Sequence, residues 1–214
     1  MGLFITFEGI EGCGKTTQIA LLKDHFAKTK VEALFLREPG GTPLGERVRK
    51  VLLDSSTGAI DPMAELFLYE ACRAEIVASQ IRPALLAGQV VVCDRFVDST
   101  LAYQGFARGL DLSVIAELNE MACNGLSPDV TILLDCTPSA GLKRARDRAS
   151  GLGAEAEDRF ESEEIGFHEK VRKGFLRIAE KDGERVRVVN SEREIPLIHK
   201  DICDIIKRLT LKRN

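Results

Sequence analysis

In Gly9-Ile10-Glu11-Gly12-Cys13-Gly14-Lys15-Thr16, residue types and spacing specify a chemistry directly. The Gly-x-x-x-x-Gly-Lys-Thr pattern lets successive backbone N–H groups turn inward around a phosphate, and a helix behind it aims its positive end at the same point. Lys15 can reach the outer phosphates of a nucleoside triphosphate, and the Thr16 hydroxyl can ligate magnesium. A glycine-rich turn that cups nothing is the bland alternative, and the flanks argue against it. Leu3-Phe4-Ile5-Thr6-Phe7 is an apolar run of strand length, and Ile19, Leu22 and Phe26 recur at helical spacing. A second reactive pair, Asp94-Arg95, follows Gln89-Val90-Val91-Val92-Cys93 without a gap. An aspartate there suits a magnesium shell and an arginine can clamp an anion, although a salt-bridged strand end has the same appearance.

These residues need elements to hold them. Ala33-Leu34-Phe35-Leu36 reads as a second strand, ending at Arg37-Glu38-Pro39-Gly40-Gly41-Thr42-Pro43, where Pro and Gly force a loop. Leu44, Val48, Val51 and Leu52 fit a short amphipathic helix carrying Arg47 and Arg49. Asp61-Pro62 starts a long helix running towards Ala87, with Pro83 bending it near the end. Leu112 to Cys123 reads as helix and Val130 to Leu134 as a fourth strand. A helix opens at Thr137-Pro138 and runs into Lys143, Arg144, Arg146 and Arg148, then into the small residues 149–154. Phe160, Phe167, Val171, Phe175 and Ile178 mark another helix, Val186-Arg187-Val188-Val189 a fifth strand, and Ile198, Ile202, Ile205, Ile206 and Leu209 the stripe of a last helix. Near-continuous apolar strands alternating with helices predict an α/β fold of the P-loop type, a three-layer sandwich with a five-stranded parallel sheet and helices on both faces. Ligands of such sheets bind beyond the C-terminal strand ends, so the phosphate loop, the 37–42 loop and Asp94-Arg95 should meet in one crevice.

Composition narrows the class further. A chain of 214 residues can bury one full core, and no linker or repeat divides it, so 1–214 reads as a single domain. A net charge of -3 argues against a nucleic-acid surface. The six cysteines are scattered without a Cys-x-x-Cys pair, a poor zinc or disulfide framework, so reduced cytosolic thiols are expected. No apolar run approaches membrane-spanning length and the N-terminus enters a strand at once. The expectation is a cytoplasmic protein with neither signal peptide nor membrane partner.

Four segments, in order and at compatible spacing, resemble the bacterial thymidylate kinases among the P-loop nucleoside monophosphate kinases. They are Phe7-Glu8-Gly9 through Thr16, Arg37 through Thr42, Asp94-Arg95-Phe96 through Gly105, and Asp158-Arg159-Phe160-Glu161 with the phenylalanine-rich helix after it. The resemblance implies transfer of the γ-phosphoryl group of ATP to dTMP, giving dTDP and ADP, with Mg2+ as cofactor and a homodimer as the usual assembly. ATP would lie on Gly9, Ile10, Glu11, Gly12, Cys13, Gly14, Lys15, Thr16 and Thr17, with Arg144 on the adenine face. Thr16 and Asp94 would serve the metal. For dTMP the implied set is Glu11 at the sugar 3′-hydroxyl, Glu38 and Pro39, Arg49 and Arg95 on the acceptor phosphate, and Tyr69 stacked on thymine. Arg73 would address the base edge, Thr100 and Gln104 would lie near the base, and Tyr103 would crowd a ribose 2′-hydroxyl. Lys15, Arg95 and Arg148 are the implied catalytic cations, because relatives without an arginine in the phosphate loop draw one from a mobile lid, here at about 147–159. Cys72 stands where the family commonly has Asp.

This chemistry needs no added base. A nucleotide monophosphate has a second pKa near ~6 and is mostly ionised at neutral pH. The obstacle is bringing two polyanions together, which cation density resolves. No role follows for His25, His168 or His199. Another nucleoside monophosphate or deoxynucleoside kinase is the nearest rival. A P-loop switch lacks the Asn-Lys-x-Asp guanine signature, and a binding module without catalysis would not need Lys15, Thr16, Asp94 and Arg95 together.

Overall fold

A computed structural model describes residues 2–151, 159–160 and 163–213, with the side chains of 148–151, 212 and 213 outside that description. The elements run β1 (Phe4–Glu8), α1 (Lys15–Thr29), β2 (Ala33–Arg37), α2 (Pro43–Leu53), α3 (Pro62–Ile76), α4 (Arg82–Leu86), β3 (Val90–Asp94) and α5 (Val97–Thr100). Then come α6 (Leu112–Cys123), β4 (Val130–Asp135), α7 (Pro138–Gly151), α8 (Ile165–Lys181), β5 (Val186–Asn190) and α9 (Ile195–Arg213). The five strands form one parallel sheet, as expected, and its order is β2-β3-β1-β4-β5.

Strand side chains alternate between faces, and β1 shows what each face meets. Ile5 and Phe7 join Leu22 and Phe26 of α1, Val171 and Phe175 of α8, and Ile198, Ile202 and Ile206 of α9. Phe4 joins a second cluster with Val91 and Cys93 of β3, Ile76 of α3, Leu85 of α4 and Phe96. Helices thus cover both faces, which is why the strands read as unbroken apolar runs. No helix among the described residues is long and apolar enough to cross a membrane.

The capping residues behave as their types dictate. Thr42 accepts from the Gly45 amide at 2.9 Å with Pro43 behind it, and Asp61 accepts from the Met63 and Ala64 amides with Pro62 behind it. The long helix expected from Asp61 departs from regular winding before its proline rather than at it. Residues Val77–Ile81 form a π-helical turn, and α4 resumes at Arg82. The wider turn relieves the clash between the Pro83 ring and the carbonyl four residues earlier. A second π-helical stretch, Leu101–Ala107, extends α5 and was not legible in the residue pattern.

A buried ion pair fixes α5 against the sheet. Asp98, 2% exposed at its side chain, takes two bonds from Arg185 at 2.6 and 2.9 Å, and Thr131 of β4 donates to the same carboxylate at 3.1 Å. Arg185→Ala leaves that charge uncompensated and should cost about 3 kcal/mol. Urea unfolding checks this, and a loss below about 1 kcal/mol would contradict the account of what holds α5 in place.

Candidate active site

The loops at the C-terminal ends of β1, β2 and β3 enclose a crevice of about 530 Å³. Strand register sets them against one another. The Arg95 amide donates to the Phe7 carbonyl, and the Glu38 amide to the Asp94 carbonyl, each at 2.9 Å. On the loop side, Glu11, Gly12, Cys13, Gly14, Lys15, Thr16 and Thr17 line the crevice, while Gly9 and Ile10 are buried beneath it. Gly12 has φ +67°, and a Cβ there would stand 1.9 Å from the carbonyl oxygen of Gly141. Only glycine lets the loop lie this close to α7. Lys15 folds back, its Nζ donating to the carbonyls of Gly9 at 2.9 Å and Ile10 at 3.1 Å.

Glu11 joins the loop to the opposite wall. Its Oε1 accepts from the Arg95 guanidinium at 3.0 Å and the Tyr103 hydroxyl at 2.5 Å, and its Oε2 lies 3.1 Å from His168 Nδ1. Burial pushes the Glu11 carboxyl up, but the His168 contact, the charges of Arg95 and Lys15 and the Tyr103 hydroxyl outweigh it and bring the group down to about 2. Arg95 also donates to the Gly9 carbonyl at 3.1 Å and to Ser99 Oγ at 3.2 Å, with its guanidinium 5.0 Å from the centre of the Tyr103 ring. Its backbone sits at φ +71°, a conformation non-glycine residues adopt only where surroundings impose it. Glu8 does the imposing: the Phe96 amide donates to Oε1 at 2.7 Å and the Ser99 hydroxyl to Oε2 at 2.6 Å. Burial and the neighbouring Asp98 push Glu8 up, to about 7.

Of the remaining expected contacts, Glu38, Pro39, Arg49, Tyr69, Asp94, Arg95, Thr100, Tyr103, Gln104 and Arg144 all line the crevice. Arg49 donates to the Pro39 carbonyl at 3.0 Å and Arg144 to the Ser191 carbonyl at 3.1 Å. Gln104 is held by Glu65 at 2.8 Å. Arg73 is placed differently. It is 1% exposed and is not among the lining residues, because Glu38 and Thr100 of the wall, with Glu70 and Asn119 behind it, take up its donors. Burial pulls Arg73 down, yet Glu38 and Glu70 hold it above the ordinary arginine range. Cys72 is not one of its partners, so Glu38 and Glu70 supply the acidic support here. One cation serves two carboxylates, and burial pushes both of these up, Glu38 to about 7.

The Arg148 side chain lies outside the described residues, as do Asp158 and Glu161 and most of the expected lid. Beyond it, the Arg159 amide donates to Leu53 O at 3.2 Å, its side chain bonds Leu52 O at 2.9 Å and pairs with Glu65, and the Phe160 ring packs 5.5 Å from Tyr103. Sequence reasoning missed His168, Glu8 and the wall formed by Ser191, Arg193, Ile195 and Ile198. His168 had a signal: it lies three and seven residues before Val171 and Phe175, on the apolar stripe of α8, where an unpaired imidazole would be costly.

The family model described as thymidylate kinase matches residues 7–202. The chain belongs to the thymidylate kinase family. It is 53% identical over 191 residues to the thymidylate kinase of Geotalea daltonii, covering 89% of each chain, and 47% identical over 210 residues to that of Trichlorobacter lovleyi, covering 98% and 99%. The crystal structure of thymidylate kinase from Ehrlichia chaffeensis superposes with a TM-score of 0.76 at 33% identity, over 96% of this chain and 98% of that one. Membership covers the loop, the Asp94-Arg95 strand end and the helix bearing His168 within one matched span.

The Glu11 cluster has a pH signature. A carboxyl lowered on folding contributes stability that is full above its unfolded value of 4.5 and lost as pH falls towards 2. Between pH 5 and pH 3 this group should remove about 2 kcal/mol of unfolding free energy. Urea midpoints should therefore fall less steeply over that interval in Glu11→Gln than in wild type. Parallel curves would show that Glu11 is not held as a stabilised anion.

Proposed function

We propose that this thymidylate kinase family member moves the γ-phosphoryl group of ATP to the phosphate of dTMP, giving dTDP and ADP, in the crevice between the phosphate loop and the Arg95 strand end. It is a phosphotransferase, a dTMP kinase. The observation that carries the site assignment is the meeting, in one crevice, of a phosphate loop with Arg49, Tyr69, Arg95 and Gln104 on the facing elements. The loop would hold the triphosphate of ATP, with Lys15 exchanging the Gly9 and Ile10 carbonyls for phosphate oxygens. Arg144 and the α9 side would take the adenine. Arg95 and Arg49 would hold the acceptor phosphate, already ionised at neutral pH with its second pKa near ~6. Tyr69 would stack on thymine, and Glu11 and Tyr103 would pack against the deoxyribose. Arg73 acts from behind as a positioning residue, through Glu38 and Thr100.

The donor set fits a magnesium ion. Asp94 Oδ1 is buried with no hydrogen-bond partner among the described residues, and Thr16 presents its hydroxyl at the start of α1, both hard oxygens. Magnesium bound there with ATP neutralises phosphate charge. The chain's own part is to align donor and acceptor and to set Lys15 and Arg95 against the charge that spreads in the loose transition state. Arg148, on the segment entering the expected lid, is the proposed further cation. A homodimer is the proposed assembly, supported by α2 and α3, which pack together and leave Leu44, Val51 and Phe67 exposed.

Two measurements test the reading. Lys15→Met should keep the fold and lose most ADP release with dTMP, because no other loop side chain supplies a cation. Near-normal turnover by the folded variant would remove Lys15 from the mechanism. If the Tyr69 wall packs thymine, the 5-methyl group should give a preference for dTMP over dUMP of roughly 10–200-fold in kcat/KM. Equal use of the two would place the base elsewhere.

A further inference from the structure

Away from the crevice, α1 and α9 pack side by side and bring together three residues that the phosphoryl-transfer reading leaves unused. His25 comes from α1, and His199 and Cys203 from one face of α9, four residues apart. One ligand atom from each lies within 4.8 Å of the other two. Cys203 Sγ stands 3.5 Å from His199 Nε2, and the His25 and His199 rings are 6.1 Å apart, edge to face. Zinc with ligand bonds of about 2.3 Å to sulfur and about 2.0–2.1 Å to nitrogen separates tetrahedral neighbours by about 3.5 Å. A thiol–imidazole hydrogen bond alone would explain the α9 pair, but not why a third ring from α1 faces them. Cys203 is half-buried, whereas the other five cysteines are buried.

We propose that His25, His199 and Cys203 form a site for a borderline-soft divalent metal such as zinc, three protein ligands with the fourth position open to water, stapling α1 to α9. Binding replaces the Cys203 thiol proton, which leaves to solvent, and forms one metal–sulfur and two metal–nitrogen bonds. The soft donor set separates this site from the hard oxygens of Thr16 and Asp94. α1 begins at Lys15, and α9 begins with Ile195, whose carbonyl accepts from Gln18 at 3.1 Å. The staple would stiffen the scaffold behind the phosphate loop without touching the reacting atoms.

The test is a cobalt(II) titration of the full chain without nucleotide, in excess magnesium to occupy hard oxygen sites. Wild type should show a thiolate-to-cobalt charge-transfer band with intense tetrahedral visible bands, both displaced by zinc. Cys203→Ser should abolish the charge transfer, and His199→Ala or His25→Ala should weaken binding at least tenfold. Zinc at a hundredfold excess over its Kd should raise the wild-type Tm by about 5–10 °C and leave that of Cys203→Ser unmoved. Unchanged kinase turnover of Cys203→Ser confirms that the variant is folded. No charge-transfer band in wild type, a band that survives in Cys203→Ser, or an equal zinc shift in both proteins would overturn the site.

Discussion

A carboxylate withdrawn from water stays ionised only where charge and hydrogen bonds offset its lost hydration, and Glu11 has both. Its ligands come from three separate elements: Arg95 from the end of β3, Tyr103 from the π-helical extension of α5, and His168 from α8. Glu11 itself sits in the phosphate loop, between β1 and α1. One side chain therefore ties the phosphate loop to the arginine at the end of β3, the two groups proposed to hold donor and acceptor. Moving any of the four elements would strand a buried charge, so the crevice is held as a unit rather than as separate loops.

The same logic extends to the layer behind. Glu8 holds the turn that puts Arg95 at positive φ, and Asp98 with Arg185 holds the helix after that turn against β4 and β5. Arg73 forms a second buried network with Glu38, Glu70, Thr100 and Asn119, which stiffens the crevice wall that Glu38 and Thr100 line. Strain and desolvation are concentrated around the crevice, and the cost is met by polar networks one layer deeper.

The sheet was legible because β1, β3 and β4, covered on both faces, read as apolar runs, and the loop because its glycines are required by backbone geometry. Candidate residues at strand ends, such as Glu11, Asp94 and Arg95, could be named from their position after those runs. The sequence could not show that Arg73 is buried behind the crevice lining, since a helix presents Tyr69 and Arg73 on one face and Glu38 and Asn119, distant in the chain, take up the guanidinium. Nor could it show His168 meeting Glu11 across 157 residues, or the two π-helical stretches, whose extra residue per turn answers tertiary packing rather than local propensity. The His25–His199–Cys203 cluster escaped for a related reason: its ligands come from opposite ends of the chain.

The central claim is that Glu11 keeps the donor loop and Arg95 in register for transfer. Single-turnover transfer from bound ATP to dTMP in Glu11→Gln tests it most directly, with ATP affinity measured beside it. The account predicts ATP binding within a few-fold of wild type and a transfer step slowed by about 100-fold, the scale of a misplacement near 1 Å. A transfer rate equal to wild type, in a variant that binds both nucleotides, would contradict it.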